Sequence, residues 1–136
     1  MGFLLDTNVI SELRRPHPST AVLRWYGSVP AEELWTSALV VGELWKGVAL
    51  LRRKSPDRAE PLAAWVTELV GLYGDRVLPV TAAIAEEWGP LNVPDPVPTI
   101  DGLLAATCRA HGLTLATRNV KDVGRTGVSW VNPFDA

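Results

Sequence analysis

Four polar side chains sit where apolar segments end or break: Asp6 in FLLDTN, Glu43 in LVVGELW, Asp101 in PTIDGLL and Asn119 in LATRNVKD. Carboxylates brought to one place by separate segments repel each other unless a cation neutralises them. Each position also has an ordinary explanation. Asp6 can cap the helix that follows it. Asp101 can be a first-turn carboxylate stabilised by the helix dipole, and Asn119 can be a turn residue.

Glu43 is harder to explain that way. The segment Leu39–Leu51 is apolar around most of its circumference, which predicts burial on several sides. Gly42, Glu43, Lys46 and Gly47 form its one narrow polar or small stripe. An exposed Glu43–Lys46 pair would be worth only tenths of a kcal/mol. The favoured expectation puts Glu43 in a cleft, with the two glycines admitting a close neighbour.

The elements that must position these residues follow from the apolar pattern. Gly2–Leu5 reads as a buried parallel strand ending at Asp6. Thr7–Arg14 and Ser19–Tyr26 read as helices, the first stopped before Pro16 and Pro18. Leu34–Thr36 is a second strand, and Ser37 can cap a helix over Ala38–Leu51 with Arg52, Arg53 and Lys54 at its C-terminus.

Ser55–Glu60 reads as a polar linker, with Pro61 in the first turn of a helix reaching about Leu72. Val77–Val80 is a third strand, and Thr81 caps a helix reaching about Leu91. The prolines in Asn92–Pro98 demand a loop. Thr99 caps a helix over Ile100–His111, with Gly112 just past its end. Thr114–Ala116 is a fourth strand and Val128–Val131 a possible fifth.

Alternating strands and helices predict an α/β domain with a mostly parallel sheet. Ligands of such sheets lie outside the carboxyl ends of the strands, where Asp6 and Asn119 fall. Asp101 opens a helix that could face the same edge, so the set can converge.

Bulk properties agree with one globular domain over residues 1–136. The chain is 47% hydrophobic and 21% charged. The net charge of −2 gives no global signal for nucleic acid, although it already includes the three carboxylates above. Six tryptophans are many for this length, and most are expected in the core.

The single cysteine, Cys108, excludes an internal disulfide and a cysteine-based zinc site, and its apolar helical setting predicts an inert thiol. His17 and His111 have no spaced partner for a metal site or a triad. No apolar run reaches the length of a membrane span, and no signal-peptide pattern opens the chain. A reduced compartment, most simply the cytoplasm, is expected.

With these residues in view, the chain resembles a PIN-domain ribonuclease, and within that family the toxin of a VapBC-type toxin–antitoxin pair. The matching pieces are LLDTNVISEL (Leu4–Leu13), the segment Ser37–Gly47, PTIDGLLAATCRAHGLTLATRNVKDV (Pro98–Val123) and WVNPF (Trp130–Phe134). The TRNxxD and NPF elements are similar to the FitB-like branch. The resemblance implies a three-layer α/β/α domain with a mostly parallel sheet of four to five strands. It implies hydrolysis of RNA phosphodiesters, with one or two Mg²⁺ or Mn²⁺ ions activating water and stabilising the leaving oxygen.

The family's acidic positions carry over as Asp6, Glu43 and Asp101. The fourth, often acidic, is Asn119 here, a weaker ligand for a hard cation, and Asp122 lies three residues on as a candidate replacement, directly or through water. Thr7 and Thr117 could orient ligands or phosphate, or cap a helix and a turn. Arg118, Arg14 and Arg15 are candidates for the RNA backbone, or solvated surface charges; Arg52–Lys54 reads as a solvated helix end. The resemblance also implies a homodimer and an inhibitory antitoxin whose C-terminal segment covers the site. Trp25–Tyr26, Trp45 and Trp65 could serve such interfaces or the core.

Two other enzymes start from an apolar strand ending in Asp. A haloacid-dehalogenase-like phosphatase needs a second Asp two residues later, where this chain has Asn8. A receiver domain needs an acidic pair before its strand and a late Lys. Neither accounts for Glu43. The remaining alternative is a non-catalytic or weakly active binding module that keeps the fold and pairs with an antitoxin or DNA-binding partner, Asn119 having weakened the metal site.

Overall fold

The structure is a computed structural model that describes residues 2–136. Its elements run β1 (Phe3–Leu5), α1 (Thr7–Arg14), α2 (Thr20–Ser28), β2 (Leu34–Ser37), α3 (Ala38–Lys54), α4 (Pro56–Tyr73), β3 (Val77–Leu78), α5 (Ala82–Trp88), α6 (Thr99–His111), β4 (Thr114–Ala116), α7 (Val120–Val123) and β5 (Trp130–Val131). Short 3₁₀ turns link several of them.

All strand pairs are parallel, and the five strands lie in the order β3-β2-β1-β4-β5. The chain steps outward from β1 to β2 to β3, then returns across the sheet to β4 and β5. Right-handed crossovers therefore put the helices before β3 on one face and those after it on the other. Contacts agree: α1 packs on α2 and α3, α3 packs on α4, and α6 packs on α5 and α7. The result is the expected three-layer α/β/α architecture, with a sheet wholly rather than mostly parallel.

The strand order reverses between β1 and β4, in register through Leu4–Leu115 and Leu5–Ala116. Both strands are covered on two faces, which is why FLL and TLA are apolar without alternation. Leu4, Leu5, Leu104 and Leu115 are fully buried, each worth roughly 1.5–3 kcal/mol of transfer free energy. That burial fixes where β1 and β4 end, and so where Asp6 and Thr117 stand.

Several expectations need correction. Ser55–Glu60 is not a linker: α4 begins at Pro56, and Pro61 lies inside that helix. Pro56 supplies the fixed φ of a first helical position, Asp57 suits the positive end, and Ala59 faces the core. Thr99 does not cap α6; it is the first helical residue, behind Pro98, with no side-chain cap bond. The third and fifth strands keep only two residues each. None of the six tryptophans is buried; the core is mostly Leu, Val, Ile and Ala, with Trp25, Trp35 and Trp65 packed against its margin.

Ser37 does cap α3, accepting from the Leu39 N–H at 3.0 Å. Thr81 caps α5, which then continues as a 3₁₀ turn to Asn92. Gly112 closes α6 at φ +68°, a left-handed conformation that favours glycine. No helix among the described residues is long and apolar enough to cross a membrane.

Candidate active site

Asp6 is the residue on which the site is built. It leaves the buried end of β1 and is 4% exposed. Its Oδ1 accepts from the Thr7 N–H at 2.7 Å, so the capping role anticipated for it is real. Its Oδ2 accepts the Thr117 hydroxyl at 2.7 Å and, more weakly, the Asn8 amide at 3.4 Å. Burial raises its pKa above the ordinary carboxylate value, and the charges of Asp101 and Glu43 add to that rise. The bonds from Thr117 and Thr7 pull the other way.

Glu43 reaches the same edge from the middle of the first half of α3. Its Oε1 accepts the Thr7 hydroxyl at 2.5 Å. Thr7 thus touches two carboxylates, Asp6 through its backbone and Glu43 through its side chain. No Glu43–Lys46 ion pair forms among the described residues. The cleft expectation holds for Glu43, while its supporting reasons do not. Trp45 is 36% and Leu50 58% exposed, so α3 is not buried on several sides. A Cβ on Gly42 or Gly47 would meet nothing within 4 Å.

Asp101 lies in the first turn of α6, where the helix dipole favours a carboxylate. Burial raises its pKa, the charges of Asp122 and Glu43 raise it further, and the Asn119 side-chain amide lowers it as a donor. Gly102, next in sequence, allows α6 to lie against α5 at this point. A Cβ there would come within 2.5 Å of Val97 Cγ2 and 3.1 Å of Trp88 Nε1.

The 117–119 loop is stitched onto the end of β1. Thr117 Oγ1 accepts from the Asn119 N–H at 3.0 Å, and Asn8 Oδ1 accepts from the Arg118 N–H at 3.2 Å. Asn8 therefore bridges Asp6 and the loop, a role the sequence reading did not assign. Its position two residues after a helix-capping Asp was the available signal.

Asp122 lies in the first turn of α7, and its charge adds to the rise of the Asp101 pKa. Asn119 and Asp122 thus both serve the Asp101 side of the set. Arg118 is exposed, with its guanidinium carbon 4.1 Å from the Phe134 ring centroid. Arg14 is exposed, 5.9 Å from the Trp65 ring. Arg15 pairs with Glu12 at 3.4 Å. Cys108 is buried and its thiol pKa is pushed up to about 12, first by burial and then by Asp6, so it is inert as anticipated.

The donor set fits a hard divalent cation. Its oxygens are carboxylate and amide, and no Lys or Arg nitrogen lies within 4 Å of Asp6, Glu43, Asp101 or Asp122 among the described residues. Among those residues no three acidic, histidine or cysteine side chains already converge as a closed ligand group.

Residues 3–125 match the PIN domain family. The chain is 35% identical to the toxin FitB of Neisseria gonorrhoeae, over 96% of this chain and 97% of that one. It is 32% identical to VapC ribonuclease Y4jK of Sinorhizobium fredii, over 97% of each. The crystal structure of FitAcB from Neisseria gonorrhoeae superposes with a TM-score of 0.91 at 33% identity, covering 98% of this chain and 99% of that one. Sequence and fold thus converge over nearly the whole length, with Asp6 at the sheet's switch point, and the chain belongs to the PIN-domain family.

Proposed function

We propose that the chain is a metal-dependent endoribonuclease acting as the toxin of a type II toxin–antitoxin pair. The observation that carries this is Asp6: a carboxylate buried at the switch point, raised in pKa by burial and by Asp101 and Glu43, and paired with no basic side chain among the described residues. A buried acid in that position costs stability unless a cation or a proton answers it. The relatives named as a toxin and as a ribonuclease support the same reading.

Asp6, Glu43 and Asp101 would hold Mg²⁺ or Mn²⁺, with Asn119 or Asp122 completing the Asp101 side. The bound ion supplies an activated water and Lewis-acid stabilisation of the leaving oxygen. The chain's own residues do the positioning. Thr117 and Thr7 orient Asp6 and oppose the rise of its pKa by donating to it. The Thr7 hydroxyl fixes Glu43, and Asn119 keeps Asp101 closer to its ordinary acidity than Asp122 and Glu43 would leave it. Arg14 and Arg118 are exposed and would be available to the RNA backbone.

As a toxin it would act in the cytoplasm as a homodimer held inactive by a cognate antitoxin. Trp45, Leu50 and Leu72 are exposed apolar side chains that such partners could cover.

Purified protein incubated with total RNA tests the reading. Cleavage should require Mg²⁺ or Mn²⁺ and be lost in Asp6→Asn and Glu43→Gln. Undiminished cleavage in excess chelator, or by both variants, would refute it. Folded protein that binds Mn²⁺ yet never cleaves would favour the binding-module alternative, for which the uncharged Asn119 is the specific observation.

A further inference from the structure

A groove runs from the carboxylates along α1, α3 and α4. Its head is a cavity of about 250 Å³ lined by Thr7, Ser11, Arg14, Glu43, Leu62 and Trp65, among others. Thr7 and Glu43 belong to the acidic site, so cavity and site share a wall. Beyond it, Arg14 and Leu62 also border a second hollow that adds Arg58 and Leu51. Leu51 in turn borders a third with Arg53 and Lys54. None of Arg14, Arg53, Lys54 and Arg58 has a carboxylate within 4 Å among the described residues.

We infer that this groove is a single-stranded RNA track whose head is a base-stacking subsite on Trp65. Three features favour a nucleotide there. The cavity opens directly onto the residues proposed to handle the phosphodiester, so a nucleotide flanking the reacting phosphate must enter it or turn away. Trp65 is partly exposed in the cavity wall and offers an aromatic face, the surface on which proteins hold splayed bases. Arg14, whose guanidinium carbon lies over that ring 5.9 Å from its centroid, can exchange this contact for the same nucleotide's phosphate as the base takes the ring face.

The unpaired cations farther along continue the match to a polyanion. They also answer a difficulty of the acidic centre, which by itself repels phosphate. Stacking is tolerant of base identity, so the subsite would require a base without specifying which one. The inference depends on the nuclease reading only for where the reacting phosphate sits.

The test compares a fluorescently labelled oligoadenylate with an abasic ribose-phosphate oligomer of equal length. Affinity for the full chain is read by anisotropy with Ca²⁺ in place of Mg²⁺. Wild type should prefer the base-bearing oligomer by roughly 5- to 150-fold, the range one stacked base provides. Trp65→Ala should erase the preference and Trp65→Phe should restore most of it. Arg14→Ala should weaken both oligomers alike and reduce the salt dependence by about one phosphate contact.

A Trp65→Ala protein that merely misfolds would lose both oligomers, and Trp65→Phe then decides: a preference restored to near wild type supports the subsite, and a folded Trp65→Phe with no preference overturns it. An equal preference in wild type and Trp65→Ala also overturns the assignment and leaves the groove to a protein occupant. If wild type never cleaves RNA yet shows the Trp65-dependent preference, the track stands and the nuclease reading fails.

Discussion

Thr117, the first residue after β4, donates its hydroxyl to Oδ2 of Asp6, the first residue after β1, at 2.7 Å. The two lie 111 residues apart in the chain and meet because β1 and β4 pair at the point where the sheet reverses direction. The bond spans the two halves of the fold and opposes the rise that burial imposes on the pKa of the central carboxylate. Thr117→Val keeps the shape and removes the donor. Asp6 should then hold its proton to higher pH, because the hydroxyl is the largest influence lowering its pKa. The expected outcome is a cleavage profile displaced to more alkaline pH and a stability loss of about 1–3 kcal/mol, read from pH–rate curves and urea unfolding. An unmoved profile would show that Thr117 only packs.

Asp6→Asn should act in the opposite sense on stability. The folded-state pKa of Asp6 lies above the ordinary value of 3.8. Between the two, the folded protein retains a proton that the unfolded chain has released, so stability falls as pH rises through that window. Above the folded pKa the whole cost of the buried charge is present; below 3.8 it is absent. Asn removes the charge, so the metal-free variant should melt higher than wild type at neutral pH and lose that advantage in acid. Thermal unfolding in chelator across that range measures it. A variant less stable than wild type at neutral pH would mean the lost hydrogen bonds outweigh the relieved burial.

Much of this site could be read from where apolar runs stop. FLL and TLA are covered on both faces, so their apolar character marks the strand and the next polar residue marks its end. Asp6 and Thr117 were therefore visible in sequence. What stayed hidden depends on tertiary pairing. β3 and β5 are two-residue strands made by their neighbours, with no periodicity of their own. Pro56–Glu60 has the composition of a linker because its helix shows water a polar face, and only Ala59 betrays the buried side. The tryptophans read as core because they are large and apolar; Trp65 instead lines the groove that α1, α3 and α4 leave between them.

Asn119→Asp separates the roles of Asn119 and Asp122. The wild-type amide lowers the Asp101 pKa, and a carboxylate there would add a third charge near Asp101 beside Asp122 and Glu43. Without metal the variant should be less stable than wild type, whereas Mn²⁺ should raise its melting temperature by more. A ligand at a hundred times its Kd stabilises by about 2.7 kcal/mol, so even a modest gain in affinity is measurable as a larger shift. Equal Mn²⁺ shifts in the two proteins would show that Asp122 already fills the fourth position.

Two Gly→Ala substitutions should differ in sign because their surroundings differ. At Gly102 the added methyl would press on Val97 and on the Trp88 indole, both in the tight contact that seats the N-terminal end of α6. Gly102→Ala should cost about 1–3 kcal/mol as an overpacked position, and the displaced first turn should carry Asp101 away from its partners. At Gly71, inside α4, the methyl meets nothing within 4 Å. Gly71→Ala should therefore gain about 0.4–1 kcal/mol through the unfolded chain's lost freedom. Urea unfolding reads the stabilities, and Mn²⁺ affinity should fall only in Gly102→Ala. A Gly102→Ala protein as stable as wild type but weakened for Mn²⁺ would separate the seating of Asp101 from the packing beneath it. Loss of stability with unchanged Mn²⁺ affinity would show that α6 holds Asp101 by other contacts.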